Sequence, residues 1–218
     1  MAAEQRGGPH EDAPEAADAL ERLDLITRRL RRECPWDREQ DERTIVPHTV
    51  EEAYELADAA HRGDDRKLRD ELGDVLFQVL FLSLLLEERG AGSLAAVAEG
   101  MSAKLIRRHP HVFGEVEAET AAEVLRNWDQ IKREVEGRGA DDPFADVPEN
   151  LPGLLYARKI LRRADPEGGA PADRETRDEA EAAVGEMLLD AVRLARRLGV
   201  DPELALRAAA NRFRDAHR

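Results

Sequence analysis

The chain has 218 residues and a formal net charge of −14, which argues against a protein that holds nucleic-acid backbones or anionic membrane surfaces through a general positive field. Charged residues make up 37% and aromatics only 4%, the profile of polar-faced helices packed through Leu, Ala and Val, with enough chain for one or two small domains. The single Cys34 excludes an internal disulfide framework and fits a reducing cytoplasm.

Residues 1–18, with Gly7-Gly8-Pro9 and scattered acids, read as a disordered tail that lacks the apolar stretch of a signal peptide. Leu20, Leu23, Ile26 and Leu30 recur at helical spacing and predict a first helix over about 19–33. Cys34-Pro35-Trp36-Asp37 breaks that helix, and an irregular segment runs to Pro47. A second helix is predicted over about 49–62, with Thr49 and Glu52 spaced as a capping box, and a third over about 65–89. The run Val75–Leu86 is too short to span a bilayer and is bounded by Asp74, Glu87 and Glu88. Gly90-Ala91-Gly92-Ser93 is a turn with Ser93 as N-cap, and a fourth helix follows over about 94–108, stopping at Pro110. Another helix fits about 120–136, carrying Val124, Leu125, Trp128 and Ile131, before a Gly-, Asp- and Pro-rich linker over 137–149. With no convincing strand, the fold class is all-α, divided into a tail (1–18), a domain over 19–136, the linker, and a C-terminal segment over 150–218 with helices at about 173–198 and 202–216.

The most informative feature is a double pair of acids, Glu52 with Glu55 and Glu71 with Asp74, on consecutive helices joined by His61-Arg62-Gly63-Asp64-Asp65. Residues three apart share a helix face, so each pair projects two carboxylates in one direction. The second pair opens the apolar run, where a helix apolar nearly all round is a buried one and carboxylates are costly without a positive partner. Taken alone, each pair has a plainer explanation: Glu52 in a cap, Glu71 beside Lys67 four residues earlier. Two pairs together point instead to an all-oxygen site for a hard cation such as Mg²⁺.

Other residues carry weaker signals. Lys104, Arg107 and Arg108 suit phosphate binding, but also suit the dipole at a helix C-terminus; Lys132 is of the same sort. Trp36 and Trp128 suit either stacking on a nucleobase or anchoring a core. Asp58 and His61 have the spacing of a di-iron helix without its second copy, and His109-Pro110-His111 reads as a turn. The C-terminal segment echoes the first domain: Gly185-Glu186-Met187-Leu188 against Gly73-Asp74-Val75-Leu76, and Asn211-Arg212-Phe213 against Ala103-Lys104-Leu105. In this register Ala183 stands for Glu71 and Glu186 for Asp74, so the second copy is truncated and lacks the acid constellation.

Over about residues 20–135 the chain resembles the MazG nucleoside triphosphate pyrophosphohydrolases, through Cys34-Pro35-Trp36-Asp37, Thr49-Val50-Glu51-Glu52-Ala53-Tyr54-Glu55 and Glu71-Leu72-Gly73-Asp74-Val75-Leu76-Phe77-Gln78. The likeness continues through Lys104-Leu105-Ile106-Arg107-Arg108-His109-Pro110-His111-Val112-Phe113 and Trp128-Asp129-Gln130-Ile131-Lys132. The resemblance implies an all-α bundle with a degenerate second repeat. It also implies a cytoplasmic homodimer using Mg²⁺, with Mn²⁺ as a substitute, to cleave NTPs or dNTPs into monophosphate and pyrophosphate. By that likeness Glu52, Glu55, Glu71 and Asp74 hold metal, and Glu51 is a further site acid. Glu51 or Glu52 is then the base, Lys104, Arg107, Arg108 and Lys132 meet phosphate, and neither nucleic acid nor membrane is a partner. A dUTP or phosphoribosyl-ATP pyrophosphohydrolase and a catalytically silent helical interaction protein are the alternatives.

Overall fold

The structure, a computed structural model, describes residues 13–118, 120, 123–124, 127–128, 130–131, 142–165 and 174–218. All regular elements among them are helical, and the chain divides into two compact units, Met1–Ser102 and Ala103–Arg218. No described helix is long and apolar enough to cross a membrane.

In the first unit, α1 (Ala13–Glu33) starts six residues earlier than its apolar periodicity predicts. Ala13, Ala16, Ala17 and Ala19 carry it back into the supposed tail, because alanine favours helix without marking a face. The segment predicted as irregular is two helices, α2 (Pro35–Glu39), with proline at its start, and α3 (Glu42–Arg62). The N-cap of α3 is Asp41, whose carboxylate accepts from the amides of Arg43 at 2.8 Å and Thr44 at 3.0 Å, while the Asp41 amide donates to Thr44 Oγ1 at 2.8 Å. Thr49 and Glu52 are therefore interior positions and not the cap, and Pro47 lies inside the helix. The proline signal was real but local: it removes one amide without ending the helix.

α3 turns into α4 (Asp65–Glu88) through Gly63, at φ 67°, in the left-handed region that glycine adopts without steric cost. The Gly63 amide donates to the Ala60 carbonyl and the Asp64 amide to the Ala59 carbonyl, both at 3.2 Å, and Asp64 Oδ1 caps the Lys67 amide at 3.0 Å. α3 and α4 form the closest helix pair, around a core of Ile45, Phe81 and Leu85 with Phe77 and Leu82 against it. Contrary to a fully buried α4, Leu72 and Val79 are exposed, so one stripe of this helix faces outward. α1 packs on α2 and α4, where the Arg31 guanidinium meets both Glu88 oxygens at 2.8 Å and Arg28 meets Glu87 at 2.7 and 3.0 Å. The turn at Gly90 leads to Ser93, whose hydroxyl caps the Ala96 amide at 3.1 Å as predicted, and to α5 (Leu94–Arg108), which carries the boundary between the units.

In the second unit, α6 (Pro110–Phe113) follows directly, and Thr120 and Glu123 cap each other's amides at 3.1 and 3.3 Å where a helix start is predicted. The rest of that helix beyond residue 131 lies outside the described residues. Three further helices are α7 (Gly153–Ala164), absent from the sequence reading, α8 (Arg174–Leu198) and α9 (Pro202–Ala216). The described part of the predicted linker is folded into this unit: Phe144, 3% exposed, and Val147 join Tyr156, Ile160 and Ala210 in one core. Two apolar residues in a Gly-, Asp- and Pro-rich stretch were too few to show a period. The apolar positions of α8, Met187, Leu188, Val192, Leu194 and Leu198, are exposed and do not form a core.

Phe144→Ala should lower the stability of the second unit by about 3 kcal/mol, the usual cost of emptying a buried phenylalanine site. Urea unfolding checks this, and an unchanged midpoint would return residues 142–148 to the status of a linker. Gly63→Val should cost about 1–2 kcal/mol through the left-handed backbone, although an added Cβ would meet nothing within 4 Å.

Candidate functional site

The hairpin decides where the acids go. Glu55 and Glu71 are each eight residues from Gly63, and Glu52 and Asp74 each eleven, so two antiparallel helices leaving that glycine bring like-numbered partners level. The same register pairs Ile45 with Phe81 in the core, eighteen residues on either side. One carboxylate oxygen from each of Glu52, Glu55 and Glu71 lies within 4.8 Å of the others. Asp74 is exposed at the surface of α4 and stands outside that three-residue set, yet its charge acts on Glu52.

Burial pushes the Glu52 carboxyl above the usual carboxylate range, and repulsion from Asp74, Glu55, Glu71 and Glu51 adds to it in that order. Glu71 is 5% exposed, a buried acid at the base of the cluster. The positive partner such a carboxylate demands is Lys67, whose Nζ lies 3.6 Å from Glu71 and 3.9 Å from Glu55. Four residues before Glu71, Lys67 is its neighbour on the helix, and across the hairpin it also reaches Glu55 of the first pair. The Glu51 carboxylate lies 3.3 Å from His48 Nδ1, and its charge also acts on Glu52. Three oxygen donors this close, with a fourth acid adding its field, fit a hard divalent cation in donor chemistry and in charge.

The remaining candidates are spread along the chain. Trp36 is half exposed on α2, with the His48 ring edge-on at a centroid distance of 5.9 Å. Lys104, Arg107 and Arg108 occupy the last two turns of α5, the end that a helix dipole favours for cations. Lys132 lies outside the described residues. Trp128 belongs to the second unit, with the His109 ring edge-on at 5.0 Å, and its indole Nε1 is buried with no hydrogen-bond partner among the described residues. Asp58 is bound to Arg62 Nε at 3.0 Å, so it is an ordinary surface ion pair and no di-iron ligand. On α8, Glu186 is exposed and lies 3.9 Å from Arg193.

The model of the MazG nucleotide pyrophosphohydrolase domain matches residues 40–113, the stretch that contains both acid pairs and the end of α5. The nucleoside triphosphate pyrophosphohydrolase of Escherichia coli strain K12 is 40% identical over 220 residues, covering 89% of this chain and 84% of its own. The nucleoside triphosphate pyrophosphohydrolase/pyrophosphatase MazG of Thermotoga maritima is 36% identical over 218 residues, covering 91% and 84%. An uncharacterised 26.1 kDa protein of Streptomyces cacaoi is 41% identical over 203 residues, covering 92% and 80%. Likeness of this degree over nearly the whole of both chains, on a helical framework that keeps the acid pairs together, places the chain in the MazG family of nucleoside triphosphate pyrophosphohydrolases.

Proposed function

We propose that this chain hydrolyses nucleoside triphosphates, ribo- or deoxyribo-, to the monophosphate and pyrophosphate, clearing nucleotides from the pool, with Mg²⁺ held by Glu52, Glu55, Glu71 and Asp74. The observation that carries the reading is the convergence of the Glu52, Glu55 and Glu71 oxygens within 4.8 Å, in a chain of this family. A bound divalent cation supplies charge neutralisation for the polyphosphate and a lowered pKa for water. The chain's own residues do the rest. Water attacks the α-phosphorus, the bond from that phosphorus to the α–β bridging oxygen breaks, and pyrophosphate leaves with that oxygen. Glu52, or the neighbouring Glu51, takes the proton of the attacking water. Lys104, Arg107, Arg108 and Lys132 are the proposed phosphate contacts, guanidinium forks and ammonium charges that offset a net charge of −14 near a polyanion.

We assign metal chemistry to the first repeat alone, because Ala183 and the exposed Glu186 replace its second acid pair. Exposed Met187, Leu188, Val192, Leu194 and Leu198 on α8 support a homodimer, since apolar surface of this kind is normally covered. We place the enzyme in the cytoplasm, in line with its lone cysteine.

Chromatography of reactions with a panel of NTPs and dNTPs, with and without Mg²⁺, tests the reading. Monophosphate and pyrophosphate are the expected early products, and diphosphate with orthophosphate would overturn it. Glu55→Gln and Asp74→Asn should each lower turnover by at least about 100-fold, the scale of losing one preorganised electrostatic element, with helicity unchanged. Glu186→Gln should leave the rate within about twofold, as expected of an exposed charge.

The acid cluster has a signature without substrate. Because the folded chain holds the Glu52 proton more tightly than the unfolded one, metal-free protein gains stability as pH falls from neutral through the Glu52 range. It loses that contribution as pH rises. Glu52→Gln should therefore raise the metal-free Tm at neutral pH by about 1–3 °C and abolish the further rise that Mg²⁺ gives the unsubstituted protein. A metal-free Tm lower than that of the parent would show that repulsion at Glu52 is not the dominant effect.

A further inference from the structure

Counted from Gly63, the acids Glu52 and Asp74 stand eleven residues out and the core pair Ile45 and Phe81 eighteen. Between these levels lie Thr49, fourteen residues back on α3, and Gln78, fifteen residues on along α4. Gln78 is only 6% exposed, although glutamine is mostly a surface residue. Its carboxamide oxygen accepts from Thr49 Oγ1 at 3.5 Å, a long contact that competes for the same hydroxyl proton with the Ile45 carbonyl at 3.3 Å. The two protons on Gln78 Nε2 meet no acceptor among the described residues. A buried amide with idle donors is costly, and buried polar groups of this kind normally have a partner.

A suitable acceptor stands one turn away. Asp74 precedes Gln78 by four residues, so both occupy one face of α4, about 6 Å apart along its axis. A helical side chain leans toward the helix N-terminus, which carries Gln78 back over the turn that holds Asp74. Aspartate and glutamine at this spacing form hydrogen-bonded pairs. Asp74 has neither a hydrogen bond nor an ion pair among the described residues, and it is the one acid of the four outside the converged oxygens. Repulsion favours that outward position: of the neighbouring acids, Asp74 acts most strongly on Glu52.

We propose that Gln78 is the positioning residue for the fourth metal ligand: its Nε2–H group donates to one carboxylate oxygen of Asp74 and turns the other toward a cation held by Glu52, Glu55 and Glu71. Resting on the metal reading above, this role adds a residue beyond the four acids. A carboxylate that ligates metal is itself held by hydrogen bonds from groups that do not touch the metal, and losing such a group costs about 10–100-fold in metal affinity or activity. Gln78 acts through Asp74 and touches neither cation nor substrate.

Calorimetric titration of the full chain with Mn²⁺ alone, without nucleotide, reads this directly. Gln78→Leu keeps most of the buried bulk and removes the donors. It should weaken Mn²⁺ binding about tenfold, while the metal-free Tm stays level or rises because only a long hydrogen bond is lost. Gln78→Met, unbranched and of similar length, should show the same loss and decides the matter if leucine disturbs the packing. In an Asp74→Asn background, Gln78→Leu should change the affinity by less than about twofold, since the carboxylate it positions is gone. In turnover assays, Gln78→Leu should raise the Mg²⁺ concentration for half-maximal rate about tenfold and regain the parental kcat at saturating Mg²⁺. Parental Mn²⁺ affinity in both Gln78 variants would overturn the role, as would an equal loss in the parent and Asp74→Asn backgrounds. If the unsubstituted protein binds no Mn²⁺, the metal reading fails and this role with it; if it binds Mn²⁺ and the Gln78 variants bind equally, only the role of Gln78 fails.

Discussion

The structure of the first unit depends on the turn at Gly63 and Asp64, because that turn sets the register of everything level across α3 and α4. A left-handed glycine, two capping amides at 3.2 Å and the Asp64 cap make the reversal tight and leave it one geometry. From it, eight residues out on each strand of the hairpin lie Glu55 and Glu71; eleven out, Glu52 and Asp74; eighteen out, the core pair Ile45 and Phe81. One residue more or less in the turn would rotate α4 by about 100° and send its acids away from those of α3. Core and site therefore share one constraint. The packing of Ile45, Phe81 and Leu85 holds the two helices together against the repulsion of the acids they carry.

That repulsion is the cost of the site. Glu52, crowded by four acids, is displaced from its ordinary titration, and Glu71 is buried with Lys67 no nearer than 3.6 Å. A pair at that distance is looser than a charge-assisted hydrogen bond. Lys67 thus moderates the cluster without closing it, an arrangement that leaves carboxylate oxygens free to meet another cation. The α1 clamp works in the opposite sense. Arg31 and Arg28 meet Glu88 and Glu87 with two-pronged contacts at 2.7–3.0 Å, fixing the far end of α4. Acids at one end of α4 are partnered by α1 and serve structure, while Glu71 and Asp74 near the other end face the acids of α3 and act on Glu52.

Much of this was legible in the sequence. The turn at 61–65, the Ser93 cap, the helix start near 120 and the bounds of α8 and α9 follow from periodicity and capping chemistry, and the structure agrees; of the two acid pairs it brings Glu52, Glu55 and Glu71 together and leaves Asp74 outside that set. The misses have particular causes. Pro47 marked a boundary by rule, but Asp41 and Thr44 had already started α3 with a box that uses threonine in place of glutamate. Ala13–Ala17 carries no apolar stripe, so propensity alone extends α1. Phe144 and Val147 find their core partners on α7 and α9, a tertiary fact that composition does not report. His48 escaped notice because its two partners, Trp36 and Glu51, become neighbours only once α2 and α3 are in place.

In the second unit, α8 and α9, of 25 and 15 residues, match α4 and α5, of 24 and 15, in length, yet Ala183 stands in the register of Glu71 and an exposed Glu186 in that of Asp74. Around the core of Tyr156, Ile160 and Ala210, a polar network also joins α7 and α9: the Tyr156 hydroxyl donates to Asn211 at 2.6 Å and accepts from Arg214 at 2.9 Å, while Arg207 lies over the Tyr156 ring and bonds the Glu149 and Leu151 carbonyls. Gly153 admits the Glu203 carboxylate to its amide at 2.5 Å, where a Cβ would meet Glu203 Oε2 at 2.6 Å. These polar groups bond to one another within the unit, in contrast to the crowded acids of the first hairpin. Polar side chains of the second unit are thus engaged in packing, whereas the first hairpin brings Glu52, Glu55 and Glu71 oxygens within 4.8 Å of one another against the cost of their repulsion.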